Sequence, residues 1–194
     1  MDKCVAYLID YASTDGNVTS KFKHKVHLPG RFMIPPNDDT DEWMELKRKE
    51  PSEVTKHIGI LVAPSGQMKK EYIHRLQQAK DLGAMIGQSP FIRQEAVLLY
   101  FSRWKSVLTY YLPVTYFSQK ECENLQTAVF SSLLPKMGYN KSTPTALRYG
   151  PRNFGGAGLV HVHTEQMIRH IQFFVGTWRQ DTELQTTIHI AITC

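Results

Sequence analysis

The sequence predicts an α+β fold that is mostly α, with a short β-containing region followed by a bundle of helices. Residues 1–66 contain short apolar runs separated by turn signals, as small sheets do. Residues 67–194 instead carry apolar groups at helical spacing, with polar residues between them. Because the pattern changes near residue 66, we expect two regions, 1–66 and 67–194.

The first region is predicted to hold short strands. Residues 23–28 alternate as an exposed strand does, and residues 57–62 form an apolar run typical of one buried strand. Residues 5–11 fit either a strand or a helix. Residues 14–17 read Thr-Asp-Gly-Asn, which predicts a turn because Gly and Asn tolerate positive φ.

The acidic residues between 38 and 50 raise the question of a metal site. Carboxylate oxygens bind hard cations, but a polymerase metal pair needs carboxylates held on rigid strands. Here they follow two prolines and stand beside lysine and arginine. We therefore predict a solvated charged loop and no metal site, with Trp43, Met44 and Leu46 anchoring a short helical turn.

The histidines and cysteines do not form a metal or disulfide pattern. His161 and His163 would lie on one side of a strand, but two ligands do not complete a zinc site. We interpret them as a structural pair beside a helix start. Cys4, Cys122 and Cys194 are far apart in the sequence, which favours a reducing compartment. We interpret Cys122 as an inert thiol.

Four helices are predicted in the second region. Their expected ranges are 68–86, 90–112, 118–137 and 164–180. Ser118 followed by Glu121 makes a capping box for the third helix, and Gly138 is its expected C-cap. Thr164 is the expected N-cap of the fourth helix.

The inner faces of these helices follow from the apolar spacing. Tyr100 and Trp104 are expected in the core rather than as stacking platforms. Residues 183–192 are rich in β-branched side chains, so the sequence fits either a strand or a helix there. The fourth helix is expected to turn one apolar stripe inward, formed by Met167, Ile168, Ile171, Phe174, Val175 and Trp178.

The charge distribution permits a polyanionic partner. The chain has a formal net charge of +5 and a pI of about 9.1. Between residues 136 and 179 the only acid is Glu165, and phosphate binding needs such a concentrated positive field. Arg148 and Arg152 flank Tyr149, so a ring for stacking is available beside two cations. A basic solvated face that contacts nothing stays open as the alternative.

Residues 139–160 are rich in Gly and Pro and are predicted to form an ordered loop, with a tight turn at 155–158. A nucleotide P-loop would need a lysine and a Ser or Thr after its glycines, and both are absent. A dinucleotide fingerprint with its following acid does not fit either. We expect close backbone packing instead. The residues of this structural loop are Gly150, Pro151, Gly155, Gly156 and Gly158.

Several of these motifs, in order, resemble the post-catalytic half of non-LTR (LINE-like) retrotransposon reverse transcriptases. The matching stretches are Lys-Cys at 3–4, Lys-His-Ile-Gly-Ile at 56–60, Tyr-Tyr-Leu-Pro at 110–113, Tyr-Gly-Pro at 149–151, Gly-Gly-Ala-Gly-Leu at 155–159 and Glu-Gln at 165–166. The family's strand that closes the palm usually has Tyr or Thr and then Leu where this chain has His57 and Ile58. Ala157 replaces the commoner Leu.

The resemblance implies the end of a palm followed by a helical, thumb-like region that binds nucleic acid. The parent enzyme would be an RNA-directed DNA polymerase that uses Mg²⁺. Its catalytic aspartates would precede residue 1, so we expect no catalytic residue and no cofactor in this chain, and no polymerisation by it alone. Both ends of the sequence are apolar and abrupt, which fits a fragment without the upstream palm and fingers.

The implied partner is an RNA–DNA hybrid or another nucleic acid. The residues expected to bind it are Lys56, Lys69, Lys70, Arg93, Arg103, Lys105, Arg148 and Arg152. Two other functions stay open, a stand-alone basic nucleic-acid-binding module and a helical protein-interaction domain. No segment has the apolar length of a transmembrane helix, and we expect no membrane association and a cytoplasmic or nuclear location.

Overall fold

Strands occupy the first part of the chain and helices the rest, which confirms the predicted α+β, mostly α fold. The chain divides into two compact units, 1–71 and 72–194. The computed structural model describes residues 5–7, 9–14, 17–22, 31–35, 43–140, 142–180 and 182–193. The predicted strand at 23–28 and the acidic residues 38–42 lie outside this part.

The first unit contains small sheets of short strands. Strand β1 (Val5–Ala6) pairs in parallel with β5 (Met44–Arg48), and β5 pairs antiparallel with β4 (Phe32–Ile34). Strands β2 (Ile9–Thr14) and β3 (Asn17–Phe22) form an antiparallel ladder. The ladder ends with Thr14 opposite Asn17, as a turn at 14–17 requires, although residues 15–16 lie outside the described part.

The predicted helical turn at 43–46 is wrong, because this segment enters a sheet. Leu46 lies opposite Phe32 in the β4–β5 ladder, and Lys47 opposite Val5 in the β1–β5 ladder. Backbone hydrogen bonds to two neighbouring strands outweigh the weak helical spacing of three apolar residues.

The predicted single strand at 57–62 is also wrong, because it folds as a hairpin. Strand β6 (Thr55–His57) pairs antiparallel with β7 (Ile60–Val62), and His57 lies opposite Ile60. Between them, Ile58 has a φ of +47° and Gly59 a φ of +82°. Two consecutive positive φ angles characterise the type I′ turn, whose twist suits a two-residue hairpin. Ile58 is left 87% exposed at the tip.

Helices follow the hairpin. They are α1 (Lys69–Gln88), α2 (Arg93–Leu99), a π-helical turn (Tyr100–Trp104), α3 (Lys105–Tyr111), α4 (Gln119–Lys136), α5 (Thr145–Tyr149), a 3-10 turn (Arg152–Phe154), α6 (Val162–Trp178) and α7 (Glu183–Thr193). The four predicted helices are therefore present, and 183–192 is helical. The predicted loop at 139–160 is wrong at α5, because the Leu147 and Arg148 N–H groups bond to the Pro144 carbonyl at 3.0 and 3.1 Å and close a helical turn. The second predicted helix starts at Arg93 rather than Pro90, where the Glu95 carboxylate accepts from the Ile92 N–H at 3.0 Å.

The ends of α4 confirm the predicted caps. The Ser118 hydroxyl accepts from the Glu121 N–H at 3.3 Å, and the Glu121 carboxylate accepts from the Ser118 N–H at 2.8 Å. At the other end Gly138 has a φ of +81°, and the Tyr139 N–H bonds to the Leu134 carbonyl at 2.8 Å. This is a Schellman motif, which needs a left-handed residue at the position of Gly138.

The start of α6 departs from the prediction. Its N-cap is His161, whose Nδ1 accepts from the Thr164 N–H at 3.4 Å, so Thr164 is not the cap. The Thr164 hydroxyl lies 3.0 Å from the same nitrogen. His161 and His163 consequently belong to a helix start and not to a strand. An imidazole nitrogen can replace the hydroxyl because the cap needs only an acceptor for an unpaired N–H.

The inner face of α6 is also different from the predicted one. The buried residues of α6 are Val162, Gln166 and Thr177. The expected inward stripe is exposed at Met167, Ile168, Ile171, Phe174 and Val175, and half-buried at Trp178. Apolar spacing predicted the wrong rotation of the helix.

Hydrogen bonds to an irregular segment explain this rotation. The Phe117 N–H donates to Gln166 Oε1 at 3.0 Å, and Gln166 Nε2 donates to the Phe117 carbonyl at 2.9 Å. One turn later, His170 Nε2 lies 2.8 Å from the Thr115 carbonyl oxygen. Phe117 and Thr115 are buried and not helical, so their backbone groups need these side chains as partners.

We expect Gln166→Met to lower the free energy of unfolding by about 2–4 kcal/mol, because it leaves the buried Phe117 N–H unpaired and its carbonyl with only the Cys122 thiol, at 3.9 Å. Urea unfolding followed by circular dichroism measures the loss. Gln94→Met is the matched control, since Gln94 is exposed on α2, and it should change stability by less than about 0.5 kcal/mol. Equal stability of the two variants would contradict the role of Gln166.

Candidate nucleic-acid interface

The glycine-rich loop, residues 149–160, folds back tightly onto α5. The Ala157 N–H donates to the Leu147 carbonyl at 2.8 Å, and the Gly158 N–H to the Gly150 carbonyl at 2.9 Å. Gly156 packs against Gly150 so closely that a Cβ at position 156 would overlap the Gly150 carbonyl. The absence of a side chain at Gly156 therefore permits the crossing.

Side chains from the helices hold this loop in place. The Val160 N–H donates to the Tyr100 hydroxyl at 2.7 Å, and the Val162 N–H donates to Gln126 Oε1 at 3.1 Å. Gln126 Nε2 in turn donates to the Tyr149 hydroxyl at 2.5 Å. Burial raises the pKa of Tyr100 to about 12, although the Val160 hydrogen bond opposes the rise. A neutral hydroxyl thus links the loop to the π-helical turn.

Tyr149 is not the open stacking platform that the sequence suggested. Its hydroxyl is bonded to Gln126, and its ring meets His161 edge to face at 5.3 Å between centroids. Burial raises its pKa, while the hydrogen bond from Gln126 and the nearby Arg148 charge lower it by less. The Tyr149 side chain therefore makes contacts within the protein and is not an open surface for a base.

The loop instead brings Arg152 to a different aromatic ring. The Arg152 guanidinium carbon lies 4.3 Å from the centroid of Phe101, which belongs to the π-helical turn. The Lys105 ammonium lies 5.7 Å from the same centroid. Arg152 Nε also donates to the Ala157 carbonyl at 3.4 Å. We call Phe101, Lys105 and Arg152 the basic–aromatic cluster.

The other predicted cations of the second unit lie elsewhere. The Arg93 guanidinium carbon is 5.8 Å from the centroid of the Tyr139 ring. Arg103 is exposed, but it follows Phe101 by two helical positions and so lies on a different face. Arg148 is half-buried in α5. Of the five predicted cations in this unit, the structure brings together Lys105 and Arg152.

Three predicted cations belong to the first unit. Lys56 is exposed on β6, and Lys69 and Lys70 are exposed in the first turn of α1. In the same turn, the Glu71 carboxylate accepts from the Leu61 N–H at 2.8 Å. This bond ties β7 to the start of α1.

Part of the positive charge between 136 and 179 is used internally. Arg169 forms an ion pair with Glu165, with 2.8 Å between nitrogen and oxygen. Lys136 donates to the Ser89 carbonyl at 2.8 Å. The ion pair neutralises Arg169, and the hydrogen bond uses one Lys136 donor, so the count of basic residues overstates what is available to a phosphate.

Cys122 is buried at the start of α4, and burial raises its pKa to about 11. A thiol that stays protonated at neutral pH is a poor nucleophile, as an inert thiol should be. Within the described ranges, no three His, Cys, Asp or Glu side chains are placed to share a metal ion.

Two aromatic residues were missed by the sequence reasoning. Phe101 is the ring of the basic–aromatic cluster. Phe154 is 88% exposed and belongs to the same 3-10 turn as Arg152. A lysine four residues after Phe101 was a usable signal, since such pairs share a helix face. A phenylalanine among glycines beside an arginine was another.

No protein-family profile, curated protein or solved structure matches this chain. In the part of the chain that the structure describes, every helix is too short or too polar to cross a membrane.

We expect Gly156→Ala to destabilise the protein by about 1–3 kcal/mol, because the new methyl group collides with a backbone carbonyl. Gly176→Ala is the matched control, since nothing lies within 4 Å of a Cβ at that helical position. It should stabilise the protein by up to about 1 kcal/mol through helix propensity. Thermal unfolding of both variants measures the contrast, and a Gly156→Ala protein as stable as the parent would contradict the tight crossing.

Proposed function

We propose that this chain is the template–primer-binding part of a retroelement RNA-directed DNA polymerase, without the catalytic aspartates. Its ligand is an RNA–DNA hybrid, which the chain binds through the phosphates of the duplex. The catalytic carboxylates and their Mg²⁺ ions belong to the upstream palm that the resemblance implies.

The observation that carries the proposal is the basic–aromatic cluster. Lys105 and Arg152 come from segments 47 positions apart, yet both approach the ring of Phe101. Both charges lie close to one ring, 5.7 and 4.3 Å from its centroid, so a polyanion that neutralises both would gain from the arrangement. The glycine-rich loop that presents Arg152 also carries the motifs similar to reverse transcriptases.

The chemistry of the cluster suits phosphate binding. A guanidinium offers a planar fork of donors to phosphate oxygens, and an ammonium acts as a compact point charge. Arg152 has one donor engaged with Ala157, and this bond sets the direction of the guanidinium while leaving its other donors for a ligand. The loop is anchored by Tyr100 and Gln126, so little ordering of the loop is needed on binding.

A helical protein-interaction domain is the second candidate, and the exposed stripe of α6 favours it. Ile171 is 63% exposed and Phe174 42% exposed, on the face that apolar spacing would have buried. Phe174, Val175, Trp178 and Arg179 line a shallow apolar depression on this helix. Contiguous exposed apolar groups are typical of interaction surfaces.

We expect the full chain to bind an RNA–DNA hybrid with an affinity that falls steeply as salt rises, because binding releases counterions from the phosphates. Lys105→Gln and Arg152→Gln should each weaken binding and reduce the slope of log affinity against log salt by about one unit. Fluorescence anisotropy at several salt concentrations measures both effects.

Arg169→Gln is the control for that experiment. It removes the same charge from an arginine that is already paired with Glu165, so the slope should stay within about 0.3 units of the parent value. No binding of the hybrid at low salt would reject the nucleic-acid function and leave the protein-interaction function.

We expect no primer extension by the purified chain with Mg²⁺, nucleotides and a template–primer, because two metal ions need carboxylates that the chain is predicted to lack. A gel assay of labelled primer measures this, with a complete reverse transcriptase as the positive control. Extension that depends on the added chain would contradict the assignment as a non-catalytic part.

A further inference from the structure

Phe154 is an exposed aromatic ring on an ordered piece of backbone. Its side chain is 88% exposed. The turn beneath it is closed by hydrogen bonds from the Phe154 N–H to the Pro151 carbonyl at 3.0 Å and from the Gly155 N–H to the Arg152 carbonyl at 3.0 Å. Gly155 has a φ of +81°, which ends the turn. The ring is therefore exposed on a defined turn, although burial of an aromatic side chain would stabilise the fold.

The same turn also carries a cation. Arg152 stands two residues before Phe154, and its guanidinium covers Phe101 at 4.3 Å, with the Lys105 ammonium on the same ring. A surface with cations for phosphates and rings for bases is typical of sites for single-stranded nucleic acid.

Among the bases of a bound hybrid, only an unpaired one has a free face for the exposed ring. In an A-form duplex the bases are stacked on one another, and proteins contact mainly the backbone and the shallow groove. An unpaired nucleotide has a free face, on which an aromatic side chain can stack. The surroundings also favour a base over a protein surface, because Arg152, Asn153 and Gly155 beside Phe154 are exposed and not apolar.

We propose that Phe154 stacks on an unpaired base in a single-stranded extension of the bound nucleic acid, while Arg152 and Lys105 bind the adjacent phosphates. The proposal rests on the proposed nucleic-acid function and adds to it a stacking residue, Phe154, for the unpaired nucleotides that continue from the duplex. The turn then binds at the junction between paired and unpaired nucleotides without discriminating between bases.

The test compares an RNA–DNA hybrid with blunt ends and the same hybrid with a five-nucleotide single-stranded extension that contains 2-aminopurine. The parent chain should bind the extended hybrid about 5- to 100-fold more tightly, as one stacked base allows, and should quench the 2-aminopurine fluorescence. Phe154→Ala should lose both the preference and the quenching and keep its affinity for the blunt hybrid. Phe154→Trp should retain them.

Phe173→Ala is the matched control, because Phe173 is 46% exposed on α6, away from the loop in sequence, and it should behave as the parent does. Equal affinity for both hybrids, with salt-dependent binding intact, would overturn the stacking site and leave the proposed function. Binding to neither hybrid would overturn both. A Phe154→Ala protein that keeps its preference but changes its sedimentation would assign the ring to contact with a second copy, and so would also overturn the stacking site.

Discussion

The helical unit depends on hydrogen bonds from a few side chains to irregular backbone. Two segments outside the α-helices, 115–118 and 150–161, pack against helices, and some of the N–H and C=O groups in or next to them have no backbone partner. Gln166 serves Phe117, and Gln126 serves Val162. Buried backbone groups that lack partners cost about as much as the hydrogen bonds they lose, so these few bonds decide where both segments lie.

The rotation of α6 and the position of the glycine-rich loop follow from the same constraint. A glutamine points inward on α6 because two backbone groups require it, and the apolar stripe is left outside. On the loop, the bonds from Tyr100 and Gln126 fix the path of the chain, and Arg152 reaches Phe101 as a consequence. The position of the candidate interface thus follows from the hydrogen bonds that side chains make to irregular backbone.

Helices were predictable where local chemistry is sufficient. The capping box of Ser118 and Glu121 and the left-handed Gly138 depend on neighbouring residues only, and both ends of α4 were located from them. The strands were harder, because their partners are distant. The hairpin at 55–62 was mistaken for one strand, since nothing local excludes Ile58 from a strand, although its φ of +47° is rare for a β-branched residue.

The candidate site was half predictable for the same reason. Lys105 and Arg152 were identified as cations from charge alone, but their meeting on Phe101 was not, because it depends on the loop crossing at Gly150 and Gly156. The sequence by itself determined where the four longer helical segments between 68 and 180 lie, which glycines are needed and where charge accumulates, all of which are local or compositional properties. The tertiary structure alone decided which charges are used internally, as Arg169 is by Glu165, and which rings stay exposed. Those outcomes depend on contacts between residues far apart in the chain, whose energies no local pattern contains.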